Sequence, residues 1–403
     1  MKRIETLKQF YDLMFETRDT RARVVRARLD GKTVQERDAA SLARAFDLLR
    51  GIHRNGDRYR LQLGPDRQID LDLSYEITEL EKDIHFLAHT EKAFYNYLRE
   101  LHRGFEEGID EGRRFMDGVR FFNFITDRDG TVNNYCGRYR SSIQSAYNAV
   151  FLSRFAMHVV EHAVLLSSAP LVDEGLVDIS ALPPGVFIYA GSKGRELMNT
   201  DGKISRYPIE RQKQHRLDLL NERLSDLVKR PEYEAFGLIG SGLQFKFGQS
   251  TIARQDIYGS IPEQESERFL ETVGALVEEL DPEGAVFRIE DTGKDIEIIL
   301  TVQGSGAGES ARDFDKGDGV SFLSRELGLQ LERGPNLICG DTRSDVPMVA
   351  ASLERTKDTW AVFVTGDAAL QQEVRSLCTN SLFLPEPDML VAILDIRGRE
   401  VEA

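Results

Sequence analysis

Two aspartates stand two positions apart at the end of an apolar run in VRFFNFITDRDGT, residues 119–131. Val119, Phe121, Phe122, Phe124 and Ile125 predict a strand buried in a parallel sheet. Asp127 then lies at the strand's carboxyl end, where open α/β sheets place their ligands. Asp129 follows before a turn at Gly130, so both carboxylates can reach one small volume. Acids that close repel each other unless a cation sits between them, which points to Mg²⁺.

Three later pieces end a strand or start a helix with groups suited to phosphate transfer. HAVLLSSAP ends in Ser167 and Ser168, DKGDGV carries Lys316 before a helix, and GDTRSD carries Asp341 and Asp345. A carboxylate such as Asp127 can take a phosphoryl group as an aspartyl-phosphate. Asp129 is placed to protonate the departing alkoxide and later to activate water. Ser167 and Thr131 can donate hydrogen bonds to phosphoryl oxygens, with Ser168 competing for the serine's role. Lys316 supplies positive charge beside nucleophile and phosphate. Asp341 and Asp345 complete an oxygen site for Mg²⁺. Alone, each piece reads equally as a turn, a cap or a surface lysine; their order at successive strand ends sets them apart.

These side chains need a parallel sheet to hold them. After the first strand comes a helix over about Arg140–Glu161, with Ile143, Tyr147, Val150, Phe155 and Val159 on its buried side. HAVLLSSAP and GVFIYAGSKG then give two more strands, the second broken by Gly191 and Gly194, as a right-handed crossover unit. The parallel pattern returns in DKGDGVSFLSRELGL, PNLICGDTRSD, TWAVFVT and SLFLP. Between these halves, residues 195–311 read as an α+β insertion. GLQFKFGQSTIARQD alternates about Gly248, Phe269 to Leu280 give a helix, and AVFRIEDTGKDIEIIL gives a hairpin. Gly304, Gly306 and Gly308 suit the return crossing. Gln244, Lys246, Gln249, Thr251, Arg254 and Gln255 concentrate the donors that hydroxyl-rich sugars require. Alternation puts Gln244 and Lys246 on one face, opposite Leu243, Phe245 and Phe247.

Residues 1–115 read as mostly helical. Ile4, Leu7, Phe10 and Met14 recur at helical spacing, as do Leu42, Phe46 and Leu49. A longer helix from near Tyr75 carries Phe86, Phe94, Leu98, Leu101 and Phe105, and RYRLQLGPDRQIDLDL suggests a hairpin. His85, His89 and His102 lack a completing ligand set and read as ordinary packing histidines. With no catalytic grouping in this region, its expected role is packing, and any homo-oligomer is placed on these helices.

The four motifs resemble those of the haloacid dehalogenase-like phosphatases. The insertion lies where the C2-type caps of that superfamily lie. DIEIIL with DKGDGVSFLSRELGL is most similar to trehalose-6-phosphate phosphatases, with sucrose-phosphate phosphatases and phosphomannomutases as relatives. The resemblance covers about residues 119–400. It implies an α/β Rossmann-like core over 116–194 and 312–403, a cap over 195–311, and an added helical region over 1–115. It further implies a Mg²⁺-dependent phosphatase acting on a sugar phosphate, a disaccharide phosphate such as trehalose 6-phosphate. Asp127 would be the nucleophile and Asp129 the acid/base, with its carbonyl on Mg²⁺. Asp341 would be a metal ligand with Asp345 beside it. Arg128 departs from the usual aromatic or apolar residue, and SSAP replaces the usual serine-glycine-arginine. Rival readings are a phosphosugar mutase, separable by phosphate release without a bisphosphate activator, and a regulatory protein on a vestigial core.

The totals fit this reading. The 403 residues suffice for two or three domains. A net charge of -15 argues against a general binder of nucleic acid or anionic membrane. Cys136, Cys339 and Cys378 are scattered, and no run approaches a membrane span. A cytoplasmic, soluble protein is expected.

Overall fold

Apolar side chains alternate along the central strands because both faces of the sheet are covered. Phe124, Leu165, Leu337 and Val362 enter one apolar cluster, while Ile125, Val164, Ile338 and Phe363 enter a second on the opposite face. The computed structural model describes residues 3–64, 67–301 and 313–402. The glycines of the 304–308 crossing and Pro65-Asp66 of the N-terminal hairpin lie outside them.

Among the described residues the main sheet has eight strands, ordered Asn380–Leu384, Thr359–Val364, Asn336–Gly340, Asn123–Thr126, His162–Leu166, Ile188–Gly191, Glu196–Met198 and Ile204–Arg206. The first six run parallel and the last two antiparallel. The first strand is shorter than Val119–Ile125, because pairing with both neighbours starts only at Asn123, opposite Asn336 and His162. Two strands that a boundary at 195 assigns to the insertion hydrogen bond to this sheet instead. The insertion's own sheet is antiparallel, ordered Phe287–Asp291, Asp295–Leu300, Gln249–Ala253 and Leu243–Lys246. The helices Arg211–Leu227 and Glu263–Leu280 pack against one another beside it. The first of these is not apparent from the sequence, since its apolar stripe is only Leu217, Leu220, Leu224 and Leu227.

The long helix expected from Tyr75 to Phe105 is three: Ser74–Ala88, Glu91–Leu101 and Phe105–Met116. Thr90 caps the second by accepting from Ala93 N at 3.3 Å, and Gly104 turns the chain with φ of 75°. The helix expected from Arg140 begins only at Ala146, whose N–H donates to Asp83 at 2.6 Å.

The N-terminal helices turn their apolar faces into the chain's own core. Phe86 and Phe94 pack on Tyr147 and Phe151, with Phe94 and Tyr147 centroids 4.9 Å apart. The hairpin Arg58–Gly64 and Arg67–Leu71 adjoins the insertion, with Arg67 paired to Glu265 at 2.5 Å. His85 stacks on Tyr97, and His102 Nε2 is hydrogen-bonded to Asp388 Oδ2 at 2.6 Å.

Asp388 is fully buried. It accepts from Lys82 at 2.6 Å, Asn134 at 2.8 Å and Tyr147 at 2.5 Å. Burial pushes its carboxyl upward, but the Lys82 ammonium and the His102 ring outweigh this and hold it well below the usual range. Asp388→Asn should therefore cost about 1–3 kcal/mol in denaturant unfolding at neutral pH, since it takes one of two carboxylates from buried Lys82, which keeps Glu79 at 2.8 Å. A depressed carboxylate stabilises above its unfolded pKa, so the gap from wild type should narrow only below about pH 4. A loss under about 1 kcal/mol would show the cluster to be dispensable.

Candidate active site

Three strand or helix ends meet at one point. Asp127 follows Asn123–Thr126, Asp341 follows the neighbouring Asn336–Gly340, and Lys316 opens the helix Lys316–Leu327. That helix is started by a capping box in which Asp315 accepts from Asp318 N at 2.9 Å. Lys316 Nζ donates to Asp127 Oδ1 and to Asp345 Oδ1, each at 2.5 Å. Carboxylate oxygens of Asp127, Asp341 and Asp345 all lie within 4.8 Å of one another. Gly130, at φ of 90°, lets the loop pass so close to Asp341 that a Cβ there would collide with its carboxylate.

The electrostatics follow from this crowding. Burial, with Asp345 and Asp129 nearby, pushes Asp127 up to about 7 against the opposing pull of Lys316. Burial, then Asp127 and Asp345, pushes Asp341 up to about 8. Burial would also raise Asp345, but Lys316 outweighs it and holds this carboxyl low. For Lys316, burial lowers and the two carboxylates raise, leaving it above the ordinary lysine value and charged. One ammonium therefore neutralises only part of the cluster. An all-oxygen donor set with two carboxyls driven up by burial and then by like charge fits a hard divalent cation.

Asp345 is not equivalent to the other two. Its Oδ1 takes Lys316, and its Oδ2 accepts from the N–H groups of Asp341 at 3.0 Å and Thr342 at 2.9 Å. It orients the lysine and the 341–345 loop. Thr131 is fully buried and does not border the cleft; its hydroxyl donates to Asp341 Oδ1 at 3.1 Å. The expectation that it contacts substrate is thus replaced by a role in holding Asp341. Ser167 and Ser168 both border the cleft. Asp129 borders it too, and its Oδ1 accepts from Ser142 Oγ at 2.8 Å and from the buried guanidinium of Arg128.

The cleft holds about 280 Å³ between this point and the insertion. Gln244 and Lys246 face it and are buried, whereas Phe245 between them is 40% exposed. The expected alternation is present, with the polar side turned inward. Burial pushes Lys246 down, and among the described residues it has no ion-pair partner. Arg254 does not reach the cleft. Its guanidinium is fixed within the insertion by Asp291 at 2.6 Å, Glu263 at 3.1 Å and Ser266 at 2.9 Å. Sequence reasoning missed Tyr135, Lys294 and Asp295 along the cleft. The last two sit at the hairpin turn DTGKD, which reads as turn chemistry alone.

The family model described as trehalose-6-phosphate phosphatase, C-terminal, matches residues 124–390. The model for the N-terminal helical bundle domain of these phosphatases matches residues 6–104. An alpha,alpha-trehalose-phosphate synthase from Aphelenchoides avenae is 31% identical over 96% of this chain and 31% of its own length. The chain thus spans about a third of the length of the synthases it matches. A trehalose-phosphatase from Brugia malayi is 27% identical, covering 97% of this chain and 85% of that protein. The solved C-terminal domain of the C. albicans trehalose-6-phosphate phosphatase aligns with 74% of this chain and 97% of its own, at 13% identity and a TM-score of 0.46. No helix among the described residues is long and apolar enough to cross a membrane. By the match over residues 124–390, this chain belongs to the trehalose-6-phosphate phosphatase family.

Proposed function

We propose that the chain is a phosphatase that hydrolyses a sugar phosphate, trehalose 6-phosphate by family, through an aspartyl-phosphate on Asp127. The observation that carries this is the Lys316 ammonium bridging Asp127 and Asp345 at the floor of a cleft roofed by Lys246. Lys316 fixes the Asp127 carboxylate so that it can attack phosphorus as the bond to the sugar oxygen breaks. Asp129 gives its proton to the departing alkoxide. It then takes a proton from the water that attacks the phosphoryl group, so phosphate leaves and Asp127 is restored. The neutral hydroxyl of Ser167, or that of Ser168, donates to a phosphoryl oxygen. Asp127, Asp341 and the Asp129 carbonyl are the groups that would hold Mg²⁺. When bound there, Mg²⁺ would neutralise and orient the phosphoryl group. Gln244 and Lys246 would read the sugar from the roof.

Asp127→Asn should abolish phosphate release while leaving the thermal melt near wild type, because an amide cannot form the covalent intermediate. Near-normal turnover in folded, undeamidated variant would overturn the mechanism. Chelation should remove activity and Mg²⁺ restore it, with Ca²⁺ a poor substitute because its looser coordination misplaces the carboxylate; full turnover in metal-free buffer would refute the metal's role.

The roof makes a separate prediction. Lys246→Ala should lower kcat/KM for the sugar phosphate by roughly tenfold to a hundredfold and spare p-nitrophenyl phosphate, which needs no reading from above. Arg254→Ala should instead lower the melting temperature and affect both substrates alike, since it removes the buried guanidinium that ties Asp291, Glu263 and Ser266 together. A selective sugar effect at Arg254, with none at Lys246, would reverse the two assignments.

A further inference from the structure

The helix Ser74–Ala88 carries Glu76, Glu79, Lys82 and Asp83 buried on one face. That is a costly arrangement for a helix packed on an apolar core. The residues recur at helical spacing with Tyr75; Lys82 pairs with Glu79 and Asp388, and Asp83 with Arg21 at 2.6 Å, while the remaining partners lie along one segment, residues 133–146. Glu76 Oε1 accepts from Arg138 at 2.8 Å and Ser141 at 2.6 Å. Glu79 accepts from Asn134 at 3.0 Å, and Asp83 from Ala146 N at 2.6 Å. The charged face of an N-terminal helix is thus the template for the segment leaving Asp129.

Tyr75 lies at the point of this template nearest the chemistry without bordering the cleft. Its hydroxyl accepts from Asn133 Nδ2 at 3.0 Å and donates to Ile143 O at 3.3 Å. Each contact holds one of the arms that grip Asp129. Asn133 Nδ2 lies 3.4 Å from Asp129 Oδ1, and Ser142, next to Ile143, donates to the same oxygen at 2.8 Å. Asn133 also closes the turn, with Gly130 N donating to its carbonyl at 2.7 Å.

We propose that Tyr75 is a positioning residue for Asp129, so that the N-terminal helical region belongs to the catalytic machinery through this one hydroxyl. The proposal rests on the phosphatase reading, in which Asp129 protonates the leaving group. If a carboxylic acid is misplaced, esters with basic leaving groups suffer most, because those that leave as stable anions need little protonation. The parameter kcat/KM ends at the first irreversible step, so later hydrolysis of the aspartyl-phosphate does not enter it.

The test is Tyr75→Phe in the full chain with Mg²⁺, assayed by kcat/KM on p-nitrophenyl phosphate, phenyl phosphate and trehalose 6-phosphate, alongside a thermal melt. The expected loss rises along that series, to about tenfold on the sugar phosphate, the size of effect one lost hydrogen bond has on a barrier. Loss on p-nitrophenyl phosphate should stay within about twofold, because its leaving group needs little acid. A uniform loss on all three esters, or none, in folded protein would overturn the positioning role while leaving the phosphatase reading intact. A wild-type chain that releases phosphate from none of them would overturn both. Should Tyr75→Phe fail to fold, Asn133→Ala removes both this link and Asn133's own contact with Asp129, and a uniform loss or none there would likewise overturn the role.

Discussion

The Lys316 ammonium between Asp127 and Asp345 is the interaction on which the site's geometry depends. Two carboxylates about 4 Å apart repel by roughly 4 kcal/mol at an effective dielectric near 20. That is a large share of the roughly 5–15 kcal/mol that keeps a domain folded. Three carboxylates crowded at the ends of adjacent strands would therefore spread apart or take up protons without a fixed cation. Lys316 answers part of this from a helix start, where the capping box holds its backbone. What it leaves unanswered appears in the raised carboxyls of Asp127 and Asp341. The same imbalance fits the cluster to the divalent ion proposed for it.

The strand ends that build this cluster were legible because they follow from elementary patterns. The apolar run before Asp127, the serines after HAVLL and the aspartates after NLICG each sit where a parallel strand stops, and the structure places each at the sheet's carboxyl edge. Lengths were less legible. Val119 and Phe121 are as β-prone as Phe124, but a strand exists only where both neighbours pair, and those neighbours begin at Asn336 and His162. The breaks at Thr90 and Gly104 carried cap and glycine signals that a continuous apolar stripe masked.

Least legible was the contact of residues 1–115 with the segment leaving Asp129. Glu76, Glu79 and Asp83 look in sequence like the solvated side of an amphipathic helix. Beyond the local Glu79–Lys82 pair, they reach Arg138, Asn134 and the Ala146 N–H, some sixty residues away, and no local spacing announces those contacts. A helix that buries charge at this density gains little net stability from it, since desolvation consumes most of the attraction. What it gains is direction: charged hydrogen bonds fix the segment leaving Asp129 in one register, where apolar contacts would allow several.

The insertion shows the converse error. Lys246 and Arg254 are both cations on or beside polar strands, and composition cannot tell them apart. Register can. Lys246 lies opposite Gln249 on the hairpin's inward face, buried with no ion pair among the described residues, and burial depresses its pKa although Glu297 and Asp295 pull the other way. Arg254 lies just past the end of the partner strand and is already neutralised by Asp291 and Glu263. A cation held in a cleft without a partner costs stability, and an arriving anion or hydroxyl-rich ring can return that cost as binding. A cation already paired has nothing comparable to give. Under the proposed function, recognition falls to the lysine and rigidity to the arginine, and the difference is one of solvation rather than of residue type.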